Sequence, residues 1–483
     1  MNICRRQMLH HCNIGFGALA LRALLSRETR AATGAVPGVL APRPPHHQAS
    51  SRRIIFLFMK GGPSQMDTFD PKPRLTRDHG KPLPIERPRL LFHAVGESNN
   101  RLFGSPWRFR HHGESGIPVS ELFPHVATCA DDLCILRSLH GTNPAHGGAT
   151  LKMHTGSDTL IRPSIGSWLS YGLGTENQNL PAFITISPTL FHGGVNNYGS
   201  AFLPAVYEGT PIGYAGLPAA ESRIDHIQSG RPRSLQRRQL DFVQKLNQRH
   251  RDQSDFVEEL ESRINALELA FRMQTSVPDL QDISDESETT QQLYGLHQKE
   301  TQDFGYQCLL ARRFVENGVR MVQVTHQSGS GHWDQHANLA SRHAENARQV
   351  DQPIAALLID LKRRGLLENT LVLWGGEFGR TPTAEEKGSA ANNGRDHNPD
   401  GFTMWMAGGG VKPGFIYGAT DEFGYYAVED RMHIHDLHAT ILHLMGLDHT
   451  QLTWHFGGRD FRLTDVHGEV VSGILTNPEF CTS

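Results

Sequence analysis

The sequence predicts an α/β fold in which helices cover both faces of a mostly parallel β-sheet, a three-layer sandwich. Three observations carry this prediction. Short apolar runs of strand length end at glycine-rich loops, beginning with RIIFLFM at 53–59. From residue 301 onward such runs alternate with amphipathic helical segments, which is typical of βαβ units. The composition, with 38% hydrophobic residues, 48 Gly and 27 Pro in 483 residues, fits a loop-rich globular chain rather than a coiled coil or a disordered chain.

Apolar runs mark the strands in chain order. The first, at 53–59, is followed by Gly61-Gly62-Pro63, a sequence that ends a strand in a loop. Further strands are expected at residues 131–139, 181–187, 319–325, 371–374 and 401–407. Helices are expected at residues 304–317, 354–361 and 436–445. Asp436 is the predicted N-cap of the last helix, which Gly446 ends.

The charge balance excludes two classes of function. Lys and Arg number 47 and Asp and Glu number 50, so the net charge is −3. A nucleic-acid coat or a polybasic membrane binder needs a clustered excess of positive charge, and no run of eighteen apolar residues is present to span a bilayer. The 28 His residues exceed ordinary composition. Because imidazole is the commonest metal ligand and titrates near neutral pH, this excess favours a metal or hydrolytic site.

Three segments are expected along the chain. Residues 1–33 carry Arg5-Arg6 before a weakly apolar Gly/Ala stretch, a pattern similar to a twin-arginine signal that directs a protein to the periplasm or otherwise exports it. A short amphipathic N-terminal helix is the alternative interpretation. Residues 34–51 form a Pro-rich spacer. Residues 52–483 form the α/β domain, with a highly charged helical insertion around 220–300.

Polar residues collect directly after the predicted strands, at the ends where parallel sheets bind ligands. The loops concerned are 60–70, 141–158, 326–336, 375–382 and 394–400. Asp334 and His336 lie two residues apart, so in an extended loop both can face one side. Carboxylate and imidazole together suit Zn²⁺, Mn²⁺ or Fe, whereas carboxylates alone suit Mg²⁺ or Ca²⁺. Any single residue of this kind is more often a satisfied surface or turn residue, but the loops together predict a metal centre.

Six motifs carry a resemblance to a known family. They are FMKGGPSQMDTFDPKP (58–73), NPAHGGA (143–149), GHWDQH (331–336), WGGEFGRTP (374–382), GRDHNPDGFTMWMAGGG (394–410) and HIHDLHATILHLMGL (433–447). Nearly the whole chain after the leader resembles the exported, sulfatase-like bacterial family known as domain of unknown function 1501, of the alkaline phosphatase-like superfamily. The resemblance implies an alkaline phosphatase/sulfatase-like three-layer fold.

The resemblance also implies a metal site. Glu377 stands where the superfamily has the Asp of a strand–Asp–His element, and Phe378 stands where it has the His. His397 matches a later His ligand, and the 332–336 segment matches an Asp/His loop. The implied ligands are Asp334, His336, Glu377 and His397, with Asp396 as a further candidate. The implied cofactor is a divalent metal, Zn²⁺, with Mn²⁺, Ca²⁺ or Mg²⁺ as alternatives.

The nucleophile position departs from the superfamily pattern. In the superfamily the nucleophile, a hydroxyl, thiol or formylglycine, lies ten residues before the glycine of a Thr-Gly turn. In this sequence the turn matches Thr155-Gly156, so His146 stands at the nucleophile position. No C/S-x-P-x-R motif for formylglycine formation is present. His146 is therefore the implied nucleophile or acid/base group. Asp67 or Ser64, from the loop after the first strand, would compensate for an Asp that the superfamily has on that strand. Arg380, with Arg395 or Lys60 as alternatives, would neutralise an oxyanion.

The function that follows is hydrolysis of a phosphate or sulfate ester, of a small molecule or a glycan, by an exported metal-dependent enzyme. The alternative is a catalytically silent protein of the same fold that keeps a metal for structure or captures a sulfated glycan. This alternative is favoured by the absence of the first-strand Asp, by Phe378 in place of the superfamily's His, and by His146 at the nucleophile position. The sequence leaves the oligomeric state open.

Overall fold

A computed structural model of the chain describes residues 39–85, 101–253, 258–327, 333–385 and 393–477. The predicted export signal at 1–33 and His332 of the Asp/His loop lie outside the described residues. Within the described ranges, no helix combines the length and the apolar character that crossing a membrane requires.

Strands of the described residues form one large sheet and several two-stranded ribbons. The strands are β1 (Arg53–Met59), β2 (Phe109–His112), β3 (Ile117–Ser120), β4 (Leu133–His140), β5 (Phe183–Ile186), β6 (Thr210–Ile212), β7 (Met321–His326), β8 (Thr370–Gly375), β9 (Gly379–Arg380), β10 (His397–Asn398), β11 (Phe402–Ala407), β12 (Phe415–Tyr417), β13 (Ala419–Thr420), β14 (Ala427–Glu429), β15 (Met432–His433), β16 (Trp454–Phe456) and β17 (Arg459–Phe461). The large sheet has the order β12-β4-β11-β8-β1-β7-β5-β6, with β15 also paired to β4.

The large sheet is parallel except at β11. Strand β11 pairs antiparallel with both β4 and β8, and the other pairings of this sheet are parallel. In register, Met59 of β1 pairs with His326 of β7, and Phe58 of β1 pairs with Gly375 of β8. The carboxyl ends of β1, β7 and β8 therefore finish together at one edge of the sheet.

Helices cover both faces of the sheet. The helices are α1 (Gln65–Thr68), α2 (Pro73–Arg77), α3 (His146–Thr155), α4 (Ile165–Leu173), α5 (Arg233–Gln253), α6 (Glu258–Gln281), α7 (Glu288–Leu293), α8 (Gln302–Glu316), α9 (Leu339–Arg363) and α10 (Ile434–Leu444). Successive side chains of a strand point to opposite faces, so Ile55 and Leu57 of β1 pack with α8 and α9, whereas Ile54 and Phe56 pack with α4 and α10. Burial on both faces explains why the strands read as continuous apolar runs. The predicted α/β class with a mostly parallel sheet is confirmed.

The structure corrects two local predictions. The last helix begins at Ile434 rather than at Asp436, and its N-cap is His433, whose side chain accepts from the main-chain N–H of His435. Asp436 acts from inside the first turn, where its carboxylate accepts the main-chain N–H of His433 at 2.8 Å. The second correction concerns the loop expected at 141–158, which contains helix α3 with His146 as its first residue.

Two cysteines at or just before the start of strand β4 are separate thiols. Cys129 and Cys134 are both buried and free. Burial raises the pKa of Cys129 to about 11 and that of Cys134 to about 12, so both thiols are protonated at neutral pH and are poor nucleophiles.

Candidate metal centre

Close contact between loops builds the site at the edge where β1, β7 and β8 end. Gly61 follows β1 with a φ of +110°, and a Cβ at this position would lie 2.7 Å from the main-chain nitrogen of Asp334. Gly62 has a φ of +78°, and its Cβ would lie 2.6 Å from the carbonyl oxygen of Phe378. Only glycine accommodates both the positive φ and the approach. The Gly-Gly pair thus brings the loops after β7 and β8 against the end of β1.

Three imidazoles converge on the carboxylate of Asp334. The Nε2 atoms of His336 and His397 lie 2.9 and 3.1 Å from Asp334 Oδ1, and His146 Nε2 lies 3.1 Å from Oδ2. The Nε2 atoms of His336 and His397 are 3.0 Å apart. Four groups that ligate metals in proteins therefore direct their ligating atoms at one place.

The other ring nitrogen, Nδ1, is held in two of these histidines by an acceptor behind the ring. His397 Nδ1 lies 2.7 Å from the carbonyl oxygen of Pro144, and because a carbonyl oxygen only accepts, Nδ1 carries the hydrogen. His336 Nδ1 lies 2.5 Å from Glu385 Oε2. When Nδ1 is the donor in a neutral imidazole, Nε2 presents a lone pair. Hydrogen bonds of this kind orient histidines that ligate metals.

Glu377 holds the third histidine in the same way. His146 Nδ1 lies 2.7 Å from Glu377 Oε1. The Glu377 side chain is fully buried, and its two oxygens lie 3.0 and 3.1 Å from the main-chain nitrogen of Gly61, which donates to them. Burial alone would raise the pKa of Glu377, but the hydrogen bond and charge of His146 lower it below its usual value. Glu377 is therefore a carboxylate already engaged by three hydrogen-bond contacts.

The charges at the centre favour an ionised carboxylate. Burial alone would raise the pKa of Asp334, but the Arg380 guanidinium and the three histidines hold it well below its usual range. Burial alone would lower the pKa of His336, but its hydrogen bonds to Asp334 and Glu385 raise it to about 9. Burial lowers the pKa of His397, which therefore favours the neutral imidazole. The metal-free centre therefore holds an anionic Asp334, a protonated His336 and a neutral His397, and a bound cation would take the place of the His336 proton.

Two overlapping sets of donor atoms meet the spacing of a cation site within the described residues. One set is His146, Asp334 and His397, and the other is His336, Asp396 and His397, with all donor atoms of a set within 4.8 Å of one another. Asp396 is the more peripheral carboxylate: its Oδ1 accepts the main-chain N–H of His397 at 2.8 Å and lies 4.0 Å from His336 Nδ1. Imidazole nitrogens with one or two carboxylates suit Zn²⁺ or Mn²⁺ better than Mg²⁺ or Ca²⁺, so the residues present fit a transition-metal ion.

The structure places Arg380 beneath the centre. Its guanidinium is 1% exposed and donates to Asp334 Oδ1 at 2.7 Å. It also donates to the main-chain carbonyl oxygens of Gly62, Trp333 and Arg395 at 3.0, 3.1 and 3.1 Å. The guanidinium N–H groups that an oxyanion would need are therefore already engaged by Asp334 and the main chain.

Ser64 and Arg395 belong to a buried cluster beside the centre. Ser64 Oγ donates to Asp67 Oδ2 at 2.5 Å. Arg395 Nε and Nη2 donate to the two oxygens of Asp67 at 2.7 and 3.2 Å, and neither side chain of this ion pair is exposed. The pairing of both Asp67 oxygens leaves Ser64 and Arg395 turned toward Asp67 rather than toward Asp334.

Lys60 and His192 flank the histidines. The Lys60 ammonium makes no hydrogen bond to another described side chain; burial lowers its pKa, and the charges of Glu377 and Asp334 oppose that shift. His192 stacks on His146, with ring centroids 5.0 Å apart and ring planes at 17°. Burial and the Lys60 charge lower the pKa of His192 to about 4. The site thus carries a cationic amine and a neutral imidazole beside the donor cluster.

Sequence reasoning missed Glu385 and His192. Glu385 lies outside the strand ends, and an antiparallel bridge to Gly394 brings its side chain to His336. No local sequence pattern predicts this bridge. His192 follows strand β5, so the rule that functional residues follow the carboxyl ends of strands could have found it.

Comparisons with known proteins place the chain in a family of unknown function. No curated protein matches it. Among solved structures it is similar to a sulfatase from Pseudoalteromonas sp. at 13% identity and a TM-score of 0.34, covering 87% of this chain and 70% of that one. It is also similar to a protein in the alkaline phosphatase superfamily from Vibrio parahaemolyticus, at 9% identity and a TM-score of 0.34, covering 85% and 70%. A phosphonate monoester hydrolase from Silicibacter pomeroyi is similar at 12% identity and a TM-score of 0.31, covering 67% and 68%.

The family match extends over most of the chain. Residues 51–475 match the family described as "Protein of unknown function (DUF1501)", which confirms the resemblance drawn from the six motifs. The chain belongs to this family.

Proposed function

We propose that the protein is a metal-dependent hydrolase of phosphate or sulfate esters. The observation that carries this proposal is the convergence of three imidazole Nε2 atoms, from His146, His336 and His397, on the carboxylate of Asp334. These four residues would hold the cation, with Zn²⁺ the expected ion. A bound cation at such a site polarises an ester oxygen or lowers the pKa of a water molecule.

The pairing of His397 with Asp334 supports a cation most directly. With its hydrogen on Nδ1, His397 turns a lone pair toward a carboxylate oxygen 3.1 Å away. Two acceptors at this distance repel unless a proton or a cation lies between them. Burial lowers the pKa of His397 and so disfavours the proton. A shared cation would remove the repulsion between His397 and Asp334.

We propose orienting roles for two residues that the resemblance assigned differently. Glu377 keeps both oxygens on Gly61 and His146, so it orients His146 and leaves ligation to that histidine. Arg380 donates to Asp334 and to main-chain carbonyl oxygens, so it fixes the carboxylate rather than an oxyanion. His146 takes the place of a nucleophile in the sequence, and here its Nε2 serves as a ligating atom.

Lys60 is the residue that we propose for binding the anionic ester. Arg380 donates hydrogen bonds to Asp334, and Arg395 donates to Asp67. The Lys60 ammonium, in contrast, makes no hydrogen bond to a described side chain. A cationic amine beside a metal site attracts sulfate or phosphate oxygens and stabilises their charge. His192, neutral at pH 7, offers a further hydrogen-bond partner to substrate or water at the same face.

The test combines metal analysis with an ester screen. Purified protein, stripped with a chelator and then restored with Zn²⁺ or Mn²⁺, is assayed with 4-nitrophenyl phosphate and 4-nitrophenyl sulfate. We expect hydrolysis of at least one ester that disappears on stripping and returns with the metal. Lys60→Met should raise KM with unchanged metal content, and Lys412→Met, at a half-buried position before strand β12, is the matched control. Stoichiometric metal without hydrolysis of any ester would favour a catalytically silent binding protein instead.

We also propose that the segment at 1–33 exports the folded protein through the twin-arginine route, with residues 34–51 as a spacer and 220–300 as an insertion. The motif Arg5-Arg6 carries this proposal.

A further inference from the structure

A cavity lies at the same edge of the sheet as the donor cluster, beside helix α8. Its volume is about 310 Å³, at the lower end of small-molecule sites, which span ~300–1,000 Å³. The ends of β5 and β7 and the first turns of α8 supply polar walls, among them Ser187, Asp303, Gln307, His326, Gln327 and Gln349. None of these residues belongs to the donor cluster around Asp334.

Three buried oxygens of this cavity have no hydrogen-bond partner among the described residues. They are Ser187 Oγ, Gln307 Oε1 and Gln327 Oε1. The Ser187 and Gln307 side chains are well enclosed, since the two residues are 3% and 4% exposed. A buried polar atom without a partner costs free energy, so such atoms are rare in folded proteins unless water or a ligand meets them. Three of them belong to residues that line one cavity, and a ligand there that donates hydrogen bonds would meet all three.

The orientation of Gln307 is fixed by its neighbour. Gln307 Nε2 donates to Asp303 Oδ2 at 2.9 Å, and because a carboxylate only accepts, the amide oxygen is the atom left over. Gln307 therefore offers an acceptor, whereas the hydroxyl of Ser187 both donates and accepts. Ser187 has a φ of +51°, an uncommon conformation for a residue with a side chain. Backbone strain of this kind persists where the surrounding structure enforces it, often at ligand sites.

The charges around the cavity disfavour an anion. Lys299 at the rim is matched by Glu300, and Asp303 already accepts from Gln307 and from the main-chain N–H of Ala219 at 2.6 Å. The unmet need is for hydroxyl donors at several points of a compact volume. A ring bearing several hydroxyl groups meets that need.

We propose that this cavity binds a neutral sugar ring through its hydroxyl groups. The sugar donates to the Gln307 and Gln327 amide oxygens and exchanges a hydrogen bond with Ser187. This binding site goes beyond the proposed metal centre and does not depend on it. The loop after β5 nevertheless serves both, because Ser187 lines the cavity and His192 stacks on His146. A glycan bound here would therefore lie beside the loop that reaches the metal site.

The experiment measures sugar binding to the full-length protein by saturation-transfer NMR. The probes are glucose, galactose, mannose, xylose and fucose, with glucuronate and glucosamine as charged comparators. We expect at least one neutral sugar to bind, and Gln307→Met to weaken its binding at least about fivefold, the effect of losing a hydrogen bond. Gln281→Met is the matched control, because Gln281 is also buried and also has a partnerless Oε1, in a different groove.

A second variant protects the test against misfolding. Ser187→Gly removes the hydroxyl and suits the positive φ at this position, so it should fold normally and still weaken sugar binding. Sugar binding should survive chelator treatment, and both variants should keep the metal content of the unaltered protein, which separates this inference from the proposed hydrolase. The proposal is overturned if no neutral sugar binds, if only a charged comparator binds, or if both variants bind as the unaltered protein does.

Discussion

The carboxylate of Asp334 and the guanidinium of Arg380 lie 2.7 Å apart, and the same guanidinium joins three loops of the site. Its other donors reach the carbonyl oxygens of Gly62, Trp333 and Arg395. Arg380 therefore fixes the direction of the central carboxylate and the spacing of the loops that carry the histidines. Lysine could not reproduce this set of contacts, because its ammonium lacks the planar array of donors.

We expect Arg380→Lys to weaken both folding and metal binding. The unfolding free energy should fall by about 2–4 kcal/mol, since buried carbonyl groups and a buried carboxylate lose their partner. Arg320→Lys is the control, because Arg320 is also buried and also donates to main-chain carbonyl oxygens, at Gly174 and Leu173. Urea unfolding and metal titration on both variants decide the matter. Equal metal affinity in the two variants would contradict an orienting role for Arg380.

His336→Ala and His397→Ala should each remove most of the bound metal, because each deletes one of few donor atoms. Elemental analysis of the purified variants measures the loss. His455→Ala, at an exposed position on strand β16, is the control and should keep full occupancy. Full occupancy in both site variants would show that these histidines are structural.

Glu385→Gln should lower metal affinity by about 10- to 100-fold without abolishing it, the usual effect of losing a carboxylate behind a ligating histidine. The substitution keeps the size of the side chain and removes the charge that holds His336 Nδ1 at 2.5 Å. Competition against a chromogenic chelator measures the affinity. Glu368→Gln is the control, since Glu368 lies in the turn before β8, away from the histidines. An unchanged affinity would leave Glu385 as a purely structural contact.

The pH dependence of the metal-free protein should follow His336. Its pKa is about 9 in the folded state and about 6.5 unfolded. Because the pKa of His336 is higher in the folded state, protonation of this residue stabilises the fold. The stabilisation is complete below pH 6.5 and is lost as the pH rises through 9. Urea unfolding of chelated protein should therefore show lower stability at pH 9.5 than at pH 6, by up to about 3 kcal/mol.

His336→Gln is the comparison that isolates this effect, since it removes the titrating group. The variant should lose most of the difference in stability between the two pH values. A pH dependence identical to that of the unaltered protein would assign the effect to other groups.

Export should depend on the arginine pair at the N terminus. Replacing Arg5 and Arg6 together by Lys should leave the precursor in the cytoplasm, because the twin-arginine route reads both residues. Cell fractionation measures the distribution, and Arg22→Lys, in the apolar stretch of the same segment, is the control. Normal export of the double variant would rule out this interpretation of the leader.

The sequence indicates the convergence of Asp334, His336 and His397 because parallel strands bring their ends to one edge. It misses the helix that begins at His146, since Gly147-Gly148 favours a loop. Tertiary contact explains the second glycine: a Cβ at Gly148 would lie 2.1 Å from the side-chain amide of Asn143. Local propensity is overridden there by a close approach that only the folded chain reveals.

The same limit applies to caps and to partners distant in sequence. Asp436 has the residue type of an N-cap, but its carboxylate works one turn into the helix while His433 takes the cap. The Glu385–His336 contact spans 49 residues and depends on how two loops pair. Residue type predicts which side chains need hydrogen-bond partners, but it does not predict which residues those partners are.

The reversed direction of β11 has a consequence for how the protein is made. Because β11 runs against β8, the residues that precede it reach the edge where β8 ends. His397 there joins His146, Asp334 and His336, which lie 61 residues or more before it in the chain. A ribosome must therefore release most of the polypeptide before the last donor arrives. The four proposed ligands therefore come together only after His397 has been made, and metal uptake at the proposed centre would follow the pairing of β11 with β8.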